Sequence, residues 1–521
     1  MFSVSKGACA LAAAALLAFS VTASADPLTV KTNDGKVHGK TINDGKVRAW
    51  LGIPYAAPPI GDLRWKAPQP AAKWTGERDA TKFGAHCAQN PVFQDMIFQD
   101  PGGSEDCLFL NVYAPATATA ESNLPVMYWI HGGGYSGGSG DEPRHNGDFL
   151  PLKGVVLVTI NYRLGVFGFL ATSDLAKEQG GSAGNYGLMD MVAGLQWVHD
   201  NIKNFGGDPK NVTIFGESAG SFAVSTLMAA PSAQPLFAKG IGESGGAIGS
   251  GPLDMDTLDK RTVRDDKFVA GLNVHSLAEL RALPTQAILD AAKKPGVGFS
   301  PDVDGKFLTE SVTDIYKAGK QAHIPLLAGW NADEGSFFAM RGMTAAQWKE
   351  NASKLFPDPA KATEFLKLYP GDTDAQALRS AIDFGSDQFI AMGTWRWLEA
   401  QRTTGGGAPV YRYHFEWPAT PSKFHPGTFA FHSDDIEYVF GTLDTRPGFK
   451  VKPEDRQMSE EMMSYWTNFA KNGDPNGGDL PYWPKYNDEG YPLMHLNVPS
   501  GPDKVRDRYL FLEDNMPPMR F

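Results

Sequence analysis

Gly216-Glu217-Ser218-Ala219-Gly220 is the stretch of this sequence best placed to do chemistry. Asn211 to Phe215 precede it, a β-branched and aromatic run that reads as a buried strand. Ser221 to Ala230 follow it and read as a helix stopped by Pro231. A serine between two glycines on a strand-to-helix turn presents its hydroxyl at the rim of a sheet. Side chains at 216 or 220 would collide with the neighbouring strand or helix. The helix behind aims backbone N–H groups at developing negative charge. The five-residue pattern alone is weak in a chain with 57 glycines. Its flanks give it meaning, and the chemistry they point to is nucleophilic attack by Ser218.

A serine hydroxyl needs a base, and the base needs a carboxylate to orient it. On a turn of this kind the acid and then the histidine follow the serine in the chain. Asn331-Ala332-Asp333-Glu334-Gly335 comes directly after the strand-like Pro325 to Trp330, so Asp333 and Glu334 both qualify as the acid. His414, His425, His432 and His495 remain as bases. His414 falls within a strand pattern and His495 lies near the C-terminus. His425 and His432 share the loop after the 409–415 strand, where spacing favours His432 only slightly. An oxyanion would be held by the Ala219 N–H and by donors from Gly132-Gly133-Gly134, whose glycines permit close approach. Each such donor is worth about 10²–10³ in rate. His131 heads that loop ahead of the serine and reads as structural.

The elements that must position these groups follow from the rest of the chain. Leu124 to Ile130 and Val155 to Asn161 read as buried strands, Met189 to Phe205 as a helix, and Pro325 to Trp330 and Pro409 to Phe415 as later strands. Strands alternating with helices predict an α/β fold, a mostly parallel sheet with the active loops at its C-terminal edge. The 252–322 and 340–400 stretches read as helical insertions over the site. Asp-Gly turns at 34–35 and 44–45 predict an N-terminal β-meander. Gly52 to Trp65 reads as an irregular, proline-punctuated segment and Gly405-Gly406-Gly407 as a simple connection. Gly206-Gly207 and Gly245-Gly246 lack the context of a phosphate cradle and read as turns. The glycosylation sequons at Asn211 and Asn351 carry little weight.

Residues 1–25 stand apart. Lys6, the apolar run Ala8 to Val21 and Ala23-Ser24-Ala25 make a cleaved signal peptide, leaving 26–521 as a single domain. The run is too short to span a bilayer, and Cys9 lies too early for lipoprotein processing. Export to a bacterial periplasm or the medium is expected. There the remaining pair, Cys87 and Cys107, is most simply a disulfide, worth roughly 3 kcal/mol for a loop of this length. Two cysteines with His86 alone make no metal site. The 521-residue chain has a formal charge of −11; without Lys6, 47 basic residues face 59 acidic ones. That balance argues against nucleic acid or an anionic membrane as partner.

Several blocks of sequence together resemble the type-B carboxylesterase family, the cholinesterase-like branch of the α/β-hydrolases. They are Gly52 to Trp65, Glu105 to Val112, His131 to Tyr135, Phe205 to Pro209, Glu217 to Gly220, Asp333 to Gly335 and His432 to Gly441. The resemblance runs from about 28 to 515. It implies the α/β-hydrolase fold, with Glu334 as acid, His432 as base and Gly133, Gly134 and Ala219 as oxyanion donors. It also implies a Cys87–Cys107 bond, and a buried second carboxylate, Glu217, in a hydrogen-bond network with Ser244. Asp190-Met191 stands where relatives often have Asp-Gln, a difference of packing. The loop between the cysteines carries Phe93, Met96, Ile97 and Phe98 but no tryptophan, which argues against a choline ester. It is also short for a lipase flap. The implied activity is carboxylic ester hydrolysis through an acyl-enzyme on small, short-chain or aromatic esters, needing no cofactor or metal. A lipase or an amidase is the rival enzyme, and a non-catalytic binding protein the rival from another class. The expected assembly is a monomer or small homo-oligomer.

Overall fold

A computed structural model describes residues 26–249, 255–336, 342–418, 429–497, 501–503 and 505–516, with Met1, Pro421 and Gly427. The expected signal peptide, apart from Met1, and His425 lie outside the described residues. The first strands are β1 (Thr29–Lys31), β2 (Lys36–His38), β3 (Lys40–Ile42), β4 (Val47–Pro54), β5 (Glu77–Asp79) and β6 (Phe109–Pro115). Next come β7 (Leu124–Ile130), β8 (Val156–Ile160), β9 (Gly207–Glu217), β10 (Lys239–Glu243) and β11 (Leu326–Asn331). The last are β12 (Val410–Phe415), β13 (Pro492–Leu496) and β14 (Gly501–Pro502). Eleven of them form one sheet in the order β14-β13-β12-β11-β10-β9-β7-β8-β6-β4-β3. From β13 to β8 all neighbours run parallel, and the strands at both margins are antiparallel.

The parallel strands are covered on both faces, which is why they read as continuous apolar runs. Along β7 the side chains alternate between two cores. Val126, Tyr128 and Ile130 join one cluster with Leu195, Val224, Leu227 and Met228, which lie on the helices Tyr186–Asn201 and Ala219–Ala229. Met127 and Trp129 join the other with Met462, Trp466 and Phe469 of the helix Pro453–Asn472. The two insertions are helical as expected. One, between β10 and β11, includes the helices Leu258–Ala270 and Thr285–Ala292. The other, between β11 and β12, includes Asp374–Ser386 and Met392–Thr404, joined by a π-turn over Asp387–Ala391.

The N-terminal meander is not one sheet. The hairpin β1–β2 pairs with β5 in a separate three-stranded sheet, whereas β3–β4 joins the margin of the large one. Repeated Asp-Gly turns specify two hairpins, but only longer-range pairing decides which sheet each enters. Cys87 and Cys107 are bonded, with Cα atoms 4.9 Å apart. Replacing both cysteines by alanine is expected to lower unfolding stability by roughly 3 kcal/mol, since 20 residues of separation set the closure entropy. Denaturant titration measures this, and an unchanged midpoint contradicts it.

Candidate active site

Register brings the key loops together. Ile130 of β7 pairs with Gly216 of β9, so the chain leaves both strands at one level and the 131–134 loop lies against the serine turn. Ser218 has φ 53° and ψ −121°, a conformation that costs of order 1–3 kcal/mol for a residue with a side chain. The turn is held by hydrogen bonds from the Ser218 N–H to the Glu243 carbonyl and from the Phe222 N–H to the Ser218 carbonyl, each 2.9 Å. A β-carbon at Gly216 would lie 2.5 Å from the Ile130 oxygen, and one at Gly220 only 2.0 Å from it. The helix Ala219–Ala229 starts at once, so the Ala219 N–H is among its unsatisfied first-turn donors. Across from it, Gly133 (φ 99°) and Gly134 (φ 61°) turn back through the left-handed region. A β-carbon at Gly132 would stand 2.7 Å from Glu217 Oε2.

Three side chains from three loops meet in a line. His432 Nε2 lies 2.8 Å from Ser218 Oγ, and its Nδ1 lies 2.6 Å from Glu334 Oε2. Glu334 is wholly buried and accepts from the Asn331 N–H at 2.8 Å and from the Ser244 hydroxyl at 2.5 Å. The rival acid, Asp333, turns away: one oxygen pairs with Arg379 and the other accepts the Ala430 N–H. His414 and His495 share Glu416 instead. His131 is buried, stacks on Tyr162 with ring centroids 4.4 Å apart, and faces the Gly132 carbonyl through Nδ1. Its burial pushes the imidazole down to about 4.

One expected contact is absent. Ser244 donates to Glu334 rather than to Glu217, because β10 ends directly beside β11, with the Ser244 N–H on the Gly329 carbonyl. Glu217 Oε1 instead lies 3.4 Å from His432 Nε2 and has no hydrogen-bond partner among the described residues. Burial pushes the Glu217 carboxyl up to about 8. Burial also disfavours the charged His432, but Glu217 and Glu334 outweigh it and hold the imidazole up, to about 9.

Several further groups reach the site, most of them from segments that carry no catalytic motif. Phe389, on the π-turn, sets its ring edge-to-face against His432 at 5.1 Å. No local signal marks it, since π-turns arise from packing. Asp435, whose charge also favours the protonated His432, accepts from Asn331 and from the Tyr413 hydroxyl. Glu142 and Arg144 form an ion pair that lines the cavity over Ser218. Phe93 and Met96 of the disulfide loop line it too, and Gln89 ties that loop to the glycine loop by bonding both the N–H and the carbonyl of Gly138.

A mostly parallel sheet with a serine elbow after β9 and an acid after β11 is the α/β-hydrolase architecture. A solved structure of PNB esterase matches with a TM-score of 0.79 at 34% identity, covering 93% of this chain and 99% of that one. The family model described as "Carboxylesterase family" matches residues 26–510, and the chain belongs to that family. Fumonisin B1 esterase of Sphingopyxis macrogoltabida is 35% identical over 94% of this chain and 91% of its own. Para-nitrobenzyl esterase of Bacillus subtilis (strain 168) is 35% identical over 92% and 98%. Carboxylesterase 1D of Rattus norvegicus is 35% identical over 89% of each. The protein is thus a carboxylesterase. Among the described residues no helix is long and apolar enough to cross a membrane.

If His432 is the base for Ser218, only its neutral form can take the proton, and kcat/KM would then fall as pH drops through the imidazole's pKa. That acidic limb is expected above the ordinary imidazole value of about 6.5. Removing the negative charge of Glu217 weakens support for imidazolium. Glu217→Gln should therefore move the limb down by about one pH unit or more. A limb that stays put or moves up contradicts the electrostatic reading.

Proposed function

We propose that Ser218, His432 and Glu334 carry out ester hydrolysis through an acyl-enzyme. The observation that supports this reading best is the unbroken line Glu334–His432–Ser218, at 2.6 and 2.8 Å, ending on a strained turn. Ser218 Oγ attacks the ester carbonyl while His432 Nε2 takes its proton. Buried Glu334 fixes the tautomer and stabilises the imidazolium. The N–H groups of Gly133, Gly134 and Ala219 receive the tetrahedral oxyanion, where fixed dipoles need no reorganisation. Collapse expels the alcohol, which leaves with the proton from His432. Water then repeats the sequence on the acyl-enzyme and releases the acid.

The proposed substrates are short-chain or aromatic esters. Phe93 and Met96 in the cavity wall and Phe389 beside His432 favour a compact apolar or aromatic group, and a relative is named for para-nitrobenzyl esters. Export after removal of residues 1–25 is proposed as well, supported by the disulfide and by the charged, apolar, Ala-x-Ala pattern of the N-terminus.

Hydrolysis of p-nitrophenyl esters from acetate through palmitate, wild type beside Ser218→Ala, tests this. Activity concentrated on short acyl chains, and reduced in the folded variant by about 10⁴-fold or more, is the expected result. A maximum at long chains moves the substrate assignment to lipids. Substantial turnover by Ser218→Ala removes the nucleophile assignment.

A further inference from the structure

The side chains of His414, Glu416 and His495 converge away from the serine site. They do so because of the sheet. β12 and β13 are parallel neighbours in which His414 is paired with His495, so both side chains leave the same face. Glu416, two residues after His414, returns to that face by the strand's period of two. The Nδ1 atoms of His414 and His495 lie 2.7 and 2.8 Å from one and the same oxygen, Glu416 Oε1. All three ligand atoms fall within 4.8 Å of one another.

We propose that these three residues bind a divalent first-row transition metal, with zinc the best-suited ion. Two imidazole nitrogens and one carboxylate oxygen are the donor set that suits such ions; calcium and magnesium favour oxygen donors, calcium six to eight of them. Tetrahedral zinc with bonds of about 2.0–2.1 Å holds its ligand atoms roughly 3.3 Å apart. The observed nitrogen-to-oxygen separations need open by only about half an ångström to admit it. The side chains are 22%, 24% and 20% exposed, which gives the ion a way in and leaves water for the fourth position.

The surroundings hold the three donors ready. The Glu416 N–H donates to the Leu496 carbonyl and the Asn497 amide donates to the Glu416 carbonyl, so the backbone between the strand ends is fixed. Trp330 packs edge-to-face on His414 at 6.1 Å. Arg412, on the same face one pleat earlier, is buried and paired with Asp503, which cancels the nearest fixed positive charge along that strand. The bland alternative is two imidazoles hydrogen-bonded to one carboxylate with no ion. The proposed reaction draws nothing from this site, so the metal's role is to clasp the ends of β12 and β13, just before the segment that leads to His432.

The test uses the tag-free full chain, stripped with chelator and titrated calorimetrically with zinc sulfate, then with cobalt(II) followed by visible absorption. One ion per chain is expected, with the cobalt bands of a nitrogen- and oxygen-liganded site and a thermal midpoint that rises with zinc. His495→Gln and Glu416→Gln should each weaken binding at least ~10-fold and abolish the thermal shift. Hydrolysis of p-nitrophenyl acetate serves as the folding control, and His414→Gln is the fallback if either variant fails it. No binding at millimolar zinc overturns the proposal. So does binding of unchanged affinity and stoichiometry in folded variants.

Discussion

A single close approach sets the geometry of this molecule: the backbone at Gly216 and Gly220 presses against the carbonyl of Ile130, leaving no room for a β-carbon at either position. Because β9 and the helix that follows it come this near to β7, the turn between them has to be sharp. Ser218 is then forced to a positive φ with its hydroxyl above the sheet. The same approach puts the glycine loop after β7 within reach of the serine, and Gly132 must lack a side chain for the same reason. The strain at one residue is small beside the apolar area buried on both faces of the parallel strands, so the fold tolerates it easily. An open turn would part the Ala219 N–H from the glycine loop and break the contact between Ser218 and His432 together.

Electrostatics supplies a second constraint. Glu217, Glu334 and Asp435 are buried around one imidazole, and Glu243 is buried next to Glu217 and Asp435. Burial pushes Glu243 well above the ordinary carboxylate range and Asp435 up to about 6, and repulsion among the acids adds to the effect. Such a cluster cannot carry four full charges in a low-dielectric interior, yet it can compensate one cation well. In the proposed reaction that cation is the imidazolium of His432, which exists only while the tetrahedral centre is forming and collapsing. Fixed donors divide the load. The Trp466 N–H bonds to Glu243, while the Asn331 amide and the Tyr413 hydroxyl bond to Asp435, so Glu334 and Glu217 are left as the two carboxylates that face the histidine.

Much of this was legible in the sequence. Periodicity located β7, β9, β11 and β12, because strands covered on both faces must be apolar throughout. The pattern around Ser218 followed from sterics that glycine alone satisfies. Spacing left Asp333 and Glu334 level and favoured His432 over His425 only slightly, since adjacent loop residues such as Asp333 and Glu334 differ only in where the backbone aims them; family resemblance carried the choice. The partner of Ser244 was misplaced because the separation of β10 and β11 is a tertiary quantity. Phe389 and the Glu142–Arg144 pair reached the cavity from distant segments, and no local pattern predicts such arrivals. Split pairing of the N-terminal hairpins escaped for the same reason.

The most direct test of the central claim is to trap the nucleophile. Diethyl p-nitrophenyl phosphate should phosphorylate a serine esterase once and then stall, because the tetrahedral adduct resists attack by water. Intact mass followed by peptide mapping reads the result. The account predicts one diethylphosphoryl group per chain, carried by Ser218, with p-nitrophenol released in equal amount and ester hydrolysis lost in parallel. Stoichiometric labelling of another residue, or full inactivation with Ser218 unmodified, would contradict it.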